Sequence, residues 1–281
     1  MNFDFHMHSV YSDGSSTVEE IFKIARGIDL KAIAVTDHDT VLGLEDVDKF
    51  SREYRIPFVP GIEFTAFEDE MKFHVLGYGI DFTSQELIDY SKDILDKLNR
   101  KSREQIELMQ ENGIEIPEEE FFAEGQGGPL YRAKLLKVLS RHGYVVEEEI
   151  MNSLNRFFGK DAPYYVEDGF KYPDFSHVVR LIKENGGVVV LAHPGKIKKK
   201  NEKLYYEILN SGLLDGVEVY HIANNINVRE ELIEFADKKD IMITGGSDYH
   251  GKYNKHKMEI GGIDIPVEVY YNLAPYFKNK I

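Results

Sequence analysis

The chain has 281 residues, 42% of them apolar and 12% aromatic, enough for one large barrel or two modest domains around a buried core. A formal net charge of −15 argues against the broad phosphate-tracking surface that long nucleic acids need. The absence of cysteine excludes disulfides, thiolate zinc sites and cysteine nucleophiles, and leaves His, Asp and Glu as the strong metal ligands. The start, MNFDFHMHS, does not resemble a signal peptide and no apolar run is long enough to span a bilayer, so the expected location is the cytoplasm, away from membranes.

FDFHMHSVYSDG at residues 3–14 comes first. Phe3, Phe5 and Met7 alternate with Asp4, His6 and His8, so a strand would turn both histidines to one face as a metal chelate. A helix is expected from about Thr17 to Ile28, then the strand AIAVTD, a helical stretch to Tyr54, and the strands PFVPGIEFT and FHVLGYGI. Apolar positions Leu87, Ile88, Ile94, Leu95, Leu98, Ile106 and Met109 then recur at helical spacing over 84–112. Shorter helices are expected near 130–142 and 146–157, separated by Gly143 and preceded by the flexible GQGG at 125–128. After residue 173 the alternation returns: a helix near 176–185, GVVVLAHP, a helix near 202–211, GVEVYH, a helix near 226–238 and IMITGGSDYH. Repeated strand–helix units of this kind imply a buried parallel sheet, and their number suggests an α/β TIM-like barrel. The barrel is expected from residues 1–88 and 173–281, with 89–172 as an inserted helical cap domain.

Asp37, His38 and Asp39 follow the strand AIAVT, Glu63 ends VPGIE, and His74 lies on KFHVLGYG. His193 ends GVVVLAH, and Asp248 and His250 follow IMITGGS. Nearly all lie at or just beyond the C-terminal end of a strand, the face on which parallel α/β barrels build active sites, and scattered core histidines would not favour one end. The pattern points to a metal site.

HMHSVYSDG at 6–14, TDHD at 36–39, GIEFT at 61–65, FHVLGY at 73–78, AHPG at 192–195 and GGSDYHG at 245–251 together resemble, in order, the motifs of the polymerase and histidinol phosphatase (PHP) superfamily of metal-dependent phosphoesterases. The insertion and VEVYH at 217–221 are similar to the subgroup of nucleoside 3′,5′-bisphosphate phosphatases and 5′-end exonucleases. The resemblance implies a distorted seven-stranded β/α barrel holding two or three divalent metals. It implies one metal on His6, His8, Glu63 and Asp248, a second on Glu63, His74 and His193, and a third on Asp13, His38 and His250, with Glu63 bridging the first two. Three divalent ions bring about six positive charges against the carboxylates of Asp13, Glu63 and Asp248, so the loaded site is electropositive although the protein is acidic. A metal-bridging hydroxide would serve as an in-line nucleophile at neutral pH. His/carboxylate sets accept Mn, Fe and Zn alike.

Asp37 is expected to orient His38 rather than to bind metal, and Asp4 has the same reading for His6 and His8. His221, at the end of GVEVYH, could touch substrate, donate a proton or simply be packed. His142, His177 and His256 lie outside the motifs and are expected at the surface. Relatives in this subgroup often carry Gly-Arg-Pro-His where this chain has Arg132, Ala133 and Lys134. Arg132 is a candidate phosphate clamp or an exposed helix arginine, and Lys134 a candidate substrate contact. The basic run at 196–203 could attract anions or form a solvated loop. The expected activity is hydrolysis of a terminal phosphate of a nucleotide or a short 5′-phosphorylated oligonucleotide. The alternatives are histidinol-phosphate hydrolysis, against which the insertion counts, and a non-catalytic metal-binding regulatory module.

Overall fold

The computed structural model describes residues 2–125, 128–253 and 258–279, so His256 and the centre of GQGG lie outside the described residues. β1 (Asn2–Asp4) pairs in parallel with β2 (Leu30–Ile33) through α1 (Val18–Gly27), whose start is fixed by a reciprocal cap between Thr17 and Glu20. α2 (Leu44–Tyr54) leads to β3 (Gly61–Glu68) and β4 (Met71–Tyr78). β3 and β4 form an antiparallel hairpin closed by Asp69 and Glu70, both at positive φ (47° and 57°), as a turn matched to strand twist requires. β4 also runs antiparallel to β5 (Val188–Leu191), which departs from the all-parallel expectation. β5, β6 (Gly216–Tyr220) and β7 (Met242–Gly245) are parallel, as their helical crossovers demand.

The fold is α/β. Its ladders form a two-stranded and a five-stranded sheet, and no closed barrel is formed among the described residues. Isolated parallel bridges join Ile33 to Phe58, His38 to Glu63 and Met7 to Tyr249 at the seams between the sheets.

The insertion holds α3 (Gln85–Glu111), α4 (Glu118–Gly125), α5 (Arg132–Arg141) and α6 (Ile150–Phe158). α3 runs unbroken through residue 89. Leu87 is buried in the main core, whereas Ile106 and Met109 join Phe121, Leu135, Leu136 and Phe158 in a second core. Tyr253, which follows β7, also packs into that second core and ties it to the chain beside His250. α7 (Phe175–Glu184), capped by Asp174, returns the chain to the sheet. α8 (Pro194–Lys200), α9 (Glu202–Asn210) and α10 (Ile226–Lys239) cover it, and α11 (Val267–Leu273) closes the chain against β7. No helix among the described residues is long and apolar enough to cross a membrane.

Candidate metal centre

Phe3, Phe5 and Met7 are buried in the core, which turns Asp4, His6 and His8 to the opposite face, fully enclosed. Gly246 makes the approach of the β7 loop possible: a Cβ there would stand 2.3 Å from His6 Cβ. His74 pairs with Thr65 across the hairpin, so His74 and Glu63 are diagonal neighbours on one face. His193 and Asp248, just beyond β5 and β7, hold left-handed backbone (φ 30° and 55°), conformations that cost energy in non-glycine residues and collect at functional sites.

Five imidazoles converge on the Glu63 carboxylate. Oε2 lies 3.0 Å from His6 Nε2, 3.1 Å from His8 Nε2 and 3.3 Å from His38 Nδ1. Oε1 lies 3.0 Å from His74 Nδ1 and 2.8 Å from His193 Nε2, and those two nitrogens are 3.3 Å apart. Asp248 Oδ1 lies 3.6 Å from His6 Nε2 and 3.3 Å from His8 Nε2. Asp13 Oδ1 lies 3.2 Å from His250 Nε2 and 3.9 Å from both His38 Nε2 and His8 Nδ1. Among the described residues, four groups could hold an ion: His6, His8, Glu63 and Asp248; His8, Asp13, His38 and His250; His38, Glu63 and His74; and His6, Glu218 and His221.

The donor set suits divalent metals. His8 Nε2, Asp13 Oδ1 and His38 Nδ1 are buried without hydrogen-bond partners, an expensive state that coordination would relieve. The outer nitrogens of other imidazoles are fixed as metal-binding histidines require. His6 Nδ1 meets Glu218 Oε1 at 2.7 Å, and His250 Nδ1 meets the Asp248 carbonyl at 2.8 Å. Glu218 Oε2 also accepts the His193 backbone N–H at 2.7 Å. Glu218 was not among the expected residues. The signal was present in VEVYH: an acid between Val217 and Val219 on a strand buried on both faces.

Asp37 does not orient His38. It accepts from Ser9 N–H, Ser9 Oγ and Ser12 Oγ at 2.6–2.7 Å and so braces the segment leading to Asp13. Asp4 accepts from the backbone of Ser247 and Gly261 rather than from an imidazole. Asp39 accepts from Thr65 and from Tyr90 on α3. His142 and His177 are exposed, as expected.

Beside these groups lies a cavity of about 280 Å³ lined by Asp13, Arg132, Lys196, His221, Asp248 and His250, with Tyr131, Met151 and Tyr253 among its apolar walls. Arg132 is the exposed first residue of α5. The basic run spans the end of α8, Asn201 and the start of α9, and its Lys196 donates to Asp248 Oδ2 at 3.0 Å. His221 Nδ1 accepts the Ala223 N–H at 2.9 Å, which leaves the proton of the neutral ring on Nε2, 3.1 Å from Asp248 Oδ2. Lys134 does not reach this cavity wall. It is 2% exposed, its Nζ donates to the Val10 and Pro129 carbonyls, and burial pushes its pKa down to about 8. Lys134, expected to contact substrate, is placed as a buried tie between Val10 and Pro129.

Burial opposes charge on His6 and His8, yet their neighbours prevail. Glu218, Glu63 and Asp248 raise His6 well above the usual imidazole value, and Asp248 and Glu63 raise His8 to about 10. Burial lowers His38 to about 3 and, with Lys196 adding to it, holds His193 well below its ordinary value. Burial also opposes ionisation of Glu63 and Asp248, but imidazoles around Glu63, and Lys196 and His6 beside Asp248, keep both well below the carboxylate range. In the metal-free protein the charged His8 contributes stability below about 6.5 that is lost as pH rises through about 10. Glu63 and Asp248 contribute stability above their ordinary carboxylate values that is lost as pH falls through their depressed ones. Metal and protons compete for His6 and His8, whereas His38 and His193 are already neutral at pH 7. Saturation with Mn²⁺ at pH 7 in weak buffer is expected to release protons, read by pH-stat, and metal affinity should weaken on acidification. Loading without proton release would contradict these protonation states.

The chain is similar to the phosphoribosyl 1,2-cyclic phosphate 1,2-diphosphodiesterase of Eggerthella lenta, with 30% identity over 90% of this chain and 95% of the relative. It is also similar to the 3′,5′-nucleoside bisphosphate phosphatase of Chromobacterium violaceum, with 25% identity over 89% and 87%. A solved structure from Bifidobacterium adolescentis, assigned as a metal-dependent phosphoesterase, superposes with a TM-score of 0.84 at 25% identity, covering 98% of this chain and 96% of the other. Residues 4–208, which carry seven of the nine expected ligands, from His6 to His193, match the model of the PHP domain, and the chain belongs to the PHP family of metal-dependent phosphoesterases.

Proposed function

We propose that this enzyme hydrolyses a phosphate ester on a ribose that carries a second phosphate, with nucleoside 3′,5′-bisphosphates and short 5′-phosphorylated oligonucleotides as the preferred class. The observation that supports this reading is the lining of the cavity, which includes Asp13, Asp248 and His250 together with the exposed Arg132 of the insertion. We assign His6, His8, Glu63 and Asp248 to one metal, Glu63, His74 and His193 to a second, and Asp13, His38 and His250 to a third, and we read the two sheets as one interrupted seven-stranded barrel joined at its isolated bridges.

Two or three Mn, Fe or Zn ions bound there would supply Lewis-acid charge and an activated water at neutral pH. The chain's own residues do the rest. Glu218 fixes His6 with Nε2 inward, and the Asp248 carbonyl fixes His250 likewise. His221 holds its Nε2 proton at the cavity, placed to donate to a leaving oxygen. Lys196 adds positive charge beside Asp248, and Arg132 offers a planar fork for the second phosphate.

Adenosine 3′,5′-bisphosphate is expected to show a higher kcat/KM than AMP or histidinol phosphate, because only the first uses both phosphate contacts. Arg132→Ala should reduce that preference by roughly 10- to 150-fold, the loss of one charge-assisted contact of about 1.5–3 kcal/mol. Equal efficiency on all three, or a preference for histidinol phosphate, would rule out the nucleotide reading, and a preference that survives Arg132→Ala would remove only the clamp. A second reading, a cyclic phosphodiester on a phosphorylated ribose, is favoured by the 30% identity to the Eggerthella lenta relative across 90% of the chain. Such a diester belongs in the same panel. A metal-loaded protein that turns over none of these esters would instead support a regulatory module.

A further inference from the structure

The segment from Ser9 to Gly14 carries Asp13 and is held from two directions. The barrel side holds it through Asp37, which takes three hydrogen bonds from Ser9 and Ser12. The insertion holds it through Lys134 on α5, whose Nζ donates to the Val10 carbonyl at 2.7 Å and to the Pro129 carbonyl at 3.1 Å. Gly128 brings the insertion against the same segment, since a Cβ there would stand 3.1 Å from the carbonyl oxygens of both Val10 and Tyr11. Within the segment the N–H groups of Ser12 and Gly14 donate to the Ser9 carbonyl at 3.1 and 3.0 Å, so its turns are wound tightly around Ser9.

Lys134 is 2% exposed, surrounded along α5 by Ala133, Leu135 and Leu136. Burying an ammonium is costly, and at this position an apolar residue would serve the insertion's own core at no such cost. What the ammonium supplies that an apolar residue cannot is the bond across to Val10. From this geometry we infer that Lys134 is a positioning residue that couples the helical insertion to the Asp13 arm of the metal site. The inference rests on the ligand set proposed above for the third centre.

Lys134→Met keeps the buried stem and removes the donor, leaving the Val10 and Pro129 carbonyls without their partner. Titration of the metal-free protein with Mn²⁺ is expected to show the first two equivalents unchanged and the third bound at least about tenfold more weakly, the range found when groups behind metal ligands are removed. kcat should fall with that third equivalent while KM for adenosine 3′,5′-bisphosphate changes less than about twofold, because Arg132 is retained. In amide hydrogen exchange of the metal-free variant, Ser12 and Gly14 should exchange faster while β5 and β6 keep their protection. An unchanged third equivalent together with unchanged exchange at Ser12 and Gly14 would overturn the inference. If the wild-type protein binds only two equivalents, the ligand set for the third centre fails instead, and the exchange measurement on metal-free protein still decides whether Lys134 orders the segment.

Discussion

Glu63→Gln is expected to abolish turnover, by at least about 10³-fold, equivalent to roughly 4 kcal/mol of transition-state stabilisation. The reason is the crowding around one carboxylate: Oε2 faces His6, His8 and His38, and Oε1 faces His74 and His193, all within 3.3 Å. A glutamine keeps the volume and one oxygen but replaces the other with an amide NH2, which carries no negative charge and offers no lone pair to a cation. The variant should therefore lose metal while its circular dichroism spectrum stays that of a folded α/β protein. Near-full metal content together with near-full activity would show that Glu63 does not bridge.

Asp13→Ala and His250→Ala are expected to lose one metal equivalent selectively and to lower the rate by about 10²-fold or more. The two side chains meet at 3.2 Å on the side of His8 away from Glu63, and Asp13 Oδ1 is buried without a hydrogen-bond partner. Neither residue contacts the His74 and His193 nitrogens that face Glu63 Oε1, so the second centre should survive. Metal analysis and steady-state kinetics on the same preparations check this. Unchanged stoichiometry in both variants would remove the third centre.

The clustering of these residues was legible because their chemistry and their placement in the chain agree. Imidazoles and carboxylates at the ends of apolar strands have no packing reason to recur there, and the structure brings all nine expected ligands around the paired clusters at Glu63 and Asp13. The β3–β4 hairpin was not legible as antiparallel, because its turn is Asp69-Glu70 rather than a glycine-bearing pair, and two acidic residues at positive φ leave little trace in sequence. Glu218 was hidden by its strand, where one acid between valines reads as an interruption until its partners, His6 and His193, are known. The partners of Asp37 and Lys134 were not legible: Asp37 was expected to orient His38, and Lys134 was read only as a candidate substrate contact. Both act on the backbone and hydroxyls around Ser9 and Val10, contacts that depend on how the turn folds rather than on residue type at a fixed spacing. α8 was read as an ambiguous charge run because three of its seven residues are the consecutive lysines 198–200, although Pro194 at its first position is a recognisable helix start.

Our proposal is that a three-centre metal cluster hydrolyses an ester of a doubly phosphorylated ribose. It is tested most directly by following phosphate release from adenosine 3′,5′-bisphosphate in one sample of protein, first stripped of metal and then reconstituted with Mn²⁺, with bound metal counted at each stage. The predicted result is no turnover without metal, and turnover that rises with occupancy toward three equivalents per chain. Turnover by the stripped protein, or a fully loaded protein that releases no phosphate from this substrate, would contradict it.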